Sequence, residues 1–124
     1  MKPTILLYHL PEGERLLKIK KALFPLGMNL RAVKKEEYLE PVGYLAGVKE
    51  ITSCGEIYDG EDFEKEMMVM AGLTSGQVDR VILALRKAGA GRIDYKAVLT
   101  PTNQNWNALK LYEELAGEHA RMNQ

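Results

Sequence analysis

Lys96-Ala-Val-Leu-Thr-Pro-Thr-Asn-Gln-Asn-Trp106 concentrates the side chains best suited to chemistry in this chain. A strand-like run ends at Thr100, and Thr100-Pro101 puts a good helix cap ahead of a proline suited to the first helical position. Thr102, Asn103 and Asn105 then fall in the first turn of the expected helix. Such a start offers free backbone N–H groups and a favourable field for an anion. Lys96 would add charge, Trp106 would offer a ring for stacking, and the carboxyl ends of strands are where open sheets bind ligands. The segment therefore reads as a site for a small anionic ligand. A plainer reading gives Thr100 the cap, Asn103 the turn and Trp106 the core. Capping accounts for Thr100 and Pro101 but does not require Thr102, Asn103 and Asn105 together.

Tyr8 and His9 close the first apolar run and form the second candidate. A histidine there could serve hydrolase or transferase chemistry, but no partner base, nucleophile or metal cluster accompanies it in the sequence. The two histidines, His9 and His119, are far apart, and with one cysteine no zinc or iron–sulfur spacing exists. No catalytic residue, metal ligand or cofactor is assigned on these grounds. Cys54 stands among Glu50, Glu56, Asp59 and Glu61, which would raise rather than lower its pKa. Gly89-Ala-Gly91 follows a helical stretch instead of preceding one, so it reads as a helix terminus and turn rather than a phosphate loop.

Charge is patterned although it sums to zero, with 17 basic and 17 acidic residues. The stretch 15–35 holds Arg15, Lys18, Lys20, Lys21, Arg31, Lys34 and Lys35 with no acid, whereas 50–66 is acidic apart from Lys65. The balance argues against wholesale nucleic-acid binding. No aromatic ladder accompanies the lysines, which favours a solvated helix face and a solvated linker that partly neutralise each other. The apolar runs are too short to span a membrane. The N-terminus lacks the apolar region and cleavage site of a signal peptide, and a lone cysteine suits a reducing cytoplasm.

The elements that must position these residues recur. Shifting the 124-residue chain by half its length lays strand on strand, helix on helix and Gly27 on Gly89. Each half opens with an apolar run, Ile5–Leu10 and Met67–Ala71, covered on both faces as central strands are. Leu16, Ile19, Leu23 and Leu26 stripe the first helix, with Pro25 ending or distorting its last turn. Val78, Val81, Ile82 and Leu85 stripe the second, behind a Thr74–Gln77 capping box. Mixed strands at Leu30–Val33 and Ile93–Leu99 follow, then proline-led helices after Glu40-Pro41 and Thr100-Pro101. Residues 48–66 have no strong period, with a strand near Ile51 or Ile57 allowed. The expectation is one α/β (α+β) domain, 1–124, of two similar halves (about 1–47 and 66–124) joined by an acidic linker 48–65. The tandem strand-helix-strand-helix repeat points to a ferredoxin-like four-stranded sheet with extra helices. A small doubly wound parallel sheet is the alternative.

The Lys96–Trp106 segment, together with Leu111-Tyr-Glu-Glu-Leu115, resembles a bacterial family known only as a domain of unknown function, the one numbered 3783. Thr4–Tyr8, Tyr44–Gly47 and Glu66–Met70 are also similar to its members. The resemblance implies a small cytoplasmic bacterial protein and brings no catalytic residue or ligand. Function is thus expected to be non-catalytic binding or regulation, with a small anion at residues 100–105. A protein-interaction or self-assembly domain, such as a homodimer through the edge strands, comes second. An enzyme using Tyr8 and His9 comes third.

Overall fold

A computed structural model describes residues 1–122; the last two residues of the expected second half lie outside it. The chain forms strand β1 (Thr4–Tyr8), helix α1 (Glu14–Leu23), β2 (Asn29–Val33), α2 (Val42–Ala46), β3 (Met67–Ala71), α3 (Ser75–Lys87), β4 (Tyr95–Val98) and α4 (Ala108–Met122). The four strands make one sheet in the order β2-β1-β3-β4. Every residue of β1 and β3 is buried, as apolar side chains on both faces require of central strands. The mixed strands β2 and β4 take the edges.

Strand direction departs from both expected topologies. β1 pairs with β2 in parallel, β3 with β4 in parallel, and the central pair β1–β3 is antiparallel. A ferredoxin-like sheet would place each second strand beside the other unit's first strand and make every pairing antiparallel. A doubly wound sheet would be parallel throughout. Here each crossover helix instead returns the chain to the strand next to the one it left, giving two intact βαβ units back to back.

Two apolar layers fill the sandwich. Alternation along the strands sends Ile5, Leu7, Met68 and Met70 to one face, against Leu16, Ile19 and Leu23 of α1 and Val81 and Leu85 of α3. Leu6, Tyr8, Met67, Val69 and Tyr95 go to the other face, against Val42 and Leu45 of α2 and Leu111 and Leu115 of α4. The Thr74–Gln77 capping box forms as expected, the Gln77 N–H donating to Thr74 Oγ1 at 3.2 Å and the Thr74 N–H to Gln77 Oε1 at 2.8 Å. Pro25 does end the first helix: α1 stops at Leu23 and a 3-10 turn carries Phe24–Leu26.

α2 runs from the residue after Pro41 to the left-handed Gly47, close to the expectation for Glu40-Pro41. The second half differs. Pro101 opens no α-helix; a 3-10 turn occupies Asn103–Asn105 and α4 begins at Ala108. The starts of α2 and α4 meet instead, where Pro41 and Asn107 form an isolated antiparallel bridge. There the Val42 N–H donates to the Trp106 carbonyl at 2.8 Å, and the Ala108 N–H to the Tyr38 carbonyl at 3.1 Å.

Residues 48–66 contain no strand at Ile51 or Ile57, and they are not a free linker. Phe63 inserts between two rings, stacked on Tyr38 at 4.4 Å and on Tyr112 at 4.1 Å. Tyr58 also stacks on Tyr38, at 5.8 Å. The segment is a strap held down by its aromatic side chains.

Candidate functional site

Thr100 and Asn103 satisfy each other. The Thr100 N–H donates to Asn103 Oδ1 at 2.8 Å and the Asn103 N–H to Thr100 Oγ1 at 3.0 Å. Asn103 Nδ2 donates to the Val98 carbonyl at 3.1 Å, and Asn103 is buried. The Gln104 and Trp106 N–H groups bond back to Thr100 and Asn103 carbonyls. The N–H groups of Thr100, Asn103, Gln104 and Trp106 are therefore engaged in the turn. Trp106 is half-buried against the α4-side core, with the Lys110 ammonium 5.4 Å from its ring centre. It is neither a fully buried core residue nor a bare stacking platform.

Tyr8 and His9 lie at the opposite end of the sheet. Tyr8 pairs with Met67, which pairs with Tyr95, the residue that begins β4; Thr100 lies beyond the other end of that strand. The eight candidate residues thus do not share one pocket. Tyr8 is fully buried, and burial pushes its hydroxyl well above the usual tyrosine range. His9 has a left-handed backbone, φ 61°, and is the sole non-glycine residue with positive φ among the described residues. Glycine holds the matching position after β3, where Gly72 has φ 73°.

His9 Nδ1 lies 3.1 Å from Asp62 Oδ2, and the ring is about a third exposed (32%). Asp62 is gripped from elsewhere: Tyr38 donates its O–H to Oδ1 at 2.6 Å and Phe63 its N–H at 2.7 Å. Partial burial opposes ionisation of Asp62, but the bonds from the Tyr38 hydroxyl and the Phe63 N–H, with the His9 ring close by, outweigh it and hold the carboxyl below its usual range. Burial and the Asp62 carboxylate push the Tyr38 hydroxyl far up. The arrangement orients an imidazole toward a shallow cleft with Glu12, Leu16, Lys34 and Lys35. The Lys35 ammonium is tied to the Gly60 carbonyl at 2.7 Å. Asp62 and Tyr38 escaped the sequence reading, because only the strap's fold brings them to His9.

A cleft of about 700 Å³ lies between the end of α3 and the start of β4. Ile82, Leu85 and Ile93 give it an apolar floor; Arg86, Arg92 and Lys96 supply three positive charges, and among the described residues no carboxylate lines it. α3 ends at Lys87, and Gly89 and Gly91 both have left-handed φ, 65° and 82°, so the chain turns sharply enough to bring Arg92 back beside Arg86. Arg15 pins this loop from α1, donating Nε to the Ala90 carbonyl at 3.0 Å and Nη2 to the Arg92 carbonyl at 3.1 Å, with Glu66 as its ion-pair partner at 2.6 Å. The Lys96 ammonium donates to the Ile93 carbonyl at 3.1 Å. Partial desolvation and the Arg92 guanidinium hold Lys96 below the usual lysine range, with Asp94 pulling the other way. Of the anion-site residues read from sequence, Lys96 lines this cleft; Thr100, Thr102, Asn103 and Trp106 lie with it along a second, smaller cleft on the α4 side. Arg86 and Arg92 escaped the sequence reading, because the glycines announce the turn between them but not which side chains line one cleft.

Cys54 is exposed and forms no candidate. Its thiol pKa is raised, chiefly through Glu40, whose carboxylate also accepts the Cys54 N–H at 2.7 Å.

The fold and the clefts define a mixed α/β protein with a four-stranded open sheet between two pairs of helices. Over residues 66–122, from the foot of β3 to the end of α4, the chain matches the sequence model of the family described as Domain of unknown function (DUF3783). That stretch is somewhat under half of the chain, and over it the resemblance to the family is shown. No curated protein and no solved structure matches the chain. No described helix is long and apolar enough to cross a membrane.

Proposed function

We propose that this protein is a non-catalytic binding module that holds an anionic group in the cleft between α3 and β4. One observation carries the reading: Arg86, Arg92 and Lys96 line the cleft together, with no carboxylate among the described residues that line it. Like charges held close raise each other's free energy, and an anion between them reverses the sign of that term. The apolar floor suits a ligand with a hydrophobic part beside its charge. Compared with the expected site at residues 100–105, the anion moves to the other face of β4 and keeps Lys96 as a shared member.

Inorganic phosphate and pyrophosphate test this at once. Saturation should raise the unfolding temperature, by about 2.7 kcal/mol of added stability at a hundredfold excess over Kd. Amide resonances of residues 86–96 should move, and Arg86→Gln with Arg92→Gln should abolish both effects. No shift at any concentration, or an unchanged shift in the double variant, would remove the reading.

The recurrence of strand, helix, strand and helix about an antiparallel centre supports descent from a duplicated unit. The unpaired thiol of Cys54 supports a reducing, cytoplasmic setting. An interaction role for the chain is favoured by one further observation, the open edge of β4.

A further inference from the structure

β4 (Tyr95–Val98) borders the sheet, and among the described residues no strand pairs with its outer side. The Tyr95 N–H donates to the Glu66 carbonyl at 3.1 Å and the Leu99 N–H to the Met70 carbonyl at 2.9 Å. In a parallel ladder the backbone groups of alternate residues point to opposite sides. The N–H groups of Lys96 and Val98 and the Lys96 carbonyl therefore face outward. The Val98 carbonyl, on the same side, is already taken by Asn103 Nδ2. A cleft flanks the strand on each face. Arg86 and Arg92 line the one under α3, Trp106, Glu114 and Glu118 line the one under α4, and Lys96 borders both.

We propose that β4 is a strand-addition site for an extended peptide with acidic side chains at alternate positions. The inference rests on the anion reading of the α3-side cleft and names the molecule that brings the anion. An added strand would meet the two free N–H groups and the free carbonyl with its own backbone, and its side chains would point alternately to the two faces. Those facing α3 meet three cations and are acidic. Those facing α4 meet Trp106 and two carboxylates and are apolar or basic. Charge selects this occupant over a second copy of the chain. Pairing β4 with β4 about a two-fold axis would crowd two sets of three cations together, at a cost the edge contacts of a four-residue strand do not repay. Lys96, in the position of a charge that keeps strand edges apart, becomes the residue an acidic peptide neutralises.

The test uses the full chain with three probes: inorganic phosphate, a capped heptapeptide of alternating glutamate and valine, and the same peptide fully N-methylated. The third keeps the charge and side chains but has no backbone N–H to donate. Binding of the unmodified peptide should slow hydrogen exchange at the Lys96 and Val98 amides, and methylation should weaken affinity by about tenfold or more. Arg92→Gln should weaken both. Equal affinity for the two peptides, with exchange at Lys96 and Val98 unchanged, overturns strand addition and leaves the anion cleft standing. Phosphate binding without binding of either peptide has the same meaning. Loss of all three removes the cleft reading with it. Light scattering that shows a dimer whose Lys96 and Val98 amides are protected without peptide assigns the edge to a second copy and overturns the proposal.

Discussion

The Asn103 side chain accepts from the Thr100 N–H and donates to the Val98 carbonyl while almost sealed from water. Asn103→Ala should therefore cost about 1–3 kcal/mol, since it leaves two backbone groups without partners. Asn105, exposed, should cost no more than ~0.5 kcal/mol on the same substitution. Urea unfolding of the two variants separates them, and equal losses would show that the turn does not depend on Asn103. Asp62 makes a prediction in pH. Its carboxyl titrates below the usual range in the folded protein, so its contribution is present above the unfolded value of about 3.9 and is lost as pH falls through the folded value. Asp62→Ala should cost about 1 kcal/mol at neutral pH, discounted for an exposed pair, and the gap from wild type should close in acid. A gap that stays constant from pH 7 to pH 3 would exclude the Tyr38 and His9 contacts as its source. At this scale the polar residues are legible in the sequence but their partners are not. Thr100-x-x-Asn103 has the spacing of the Thr74-x-x-Gln77 box, and spacing cannot say whether an α-helix or a single 3-10 turn follows.

α2 is short, five residues, and is held by what lies against it. Gly43 sits inside it, where a glycine normally costs about 1 kcal/mol relative to alanine. A Cβ at Gly43 would lie 2.6 Å from Ile51 Cδ1 and 2.8 Å from the Gln104 carbonyl oxygen. The Ile51 methyl can swing away, but the Gln104 carbonyl belongs to the turn that precedes α4 and packs on α2. Gly43→Ala should thus reverse the usual sign and destabilise by about 1–3 kcal/mol in thermal unfolding. A more stable variant would mean that the turn yields. Periodicity revealed most elements of this kind: the buried runs of β1 and β3, the α1 and α3 stripes, the cap at Thr74 and the stop at Gly47. It failed on the strap. Tyr58 and Phe63 are ordered by Tyr38 and Tyr112, and no local pattern encodes contacts so distant in sequence. It failed again at α4, because a threonine-proline pair suits a helix start and a tight turn equally well.

Across the whole molecule, burial alone cannot distinguish a split sheet from the one observed. Both place β1 and β3 in the middle and β2 and β4 outside, so the apolar pattern of every strand is the same in either. Only the landing side of each crossover differs. What the pattern cannot encode, the antiparallel centre makes concrete: β1 and β3 meet through matching five-residue registers, Thr4 with Ala71 and Tyr8 with Met67. At its three middle positions each strand meets an apolar side chain in the other, as it would in a copy of itself. A polypeptide of residues 66–122 alone would expose the whole inner edge of β3, and it should recover a four-stranded sheet by pairing β3 with β3 in a homodimer. Three of the five residues in β3 are methionines, whose flexible side chains can repack against their own copies in place of Ile5 and Leu7. Sedimentation should show a dimer that loses structure on dilution; a folded monomer would mean that the half is self-sufficient. On that outcome the central seam is a subunit interface closed within one chain, and the strap is the tether that keeps its effective concentration high.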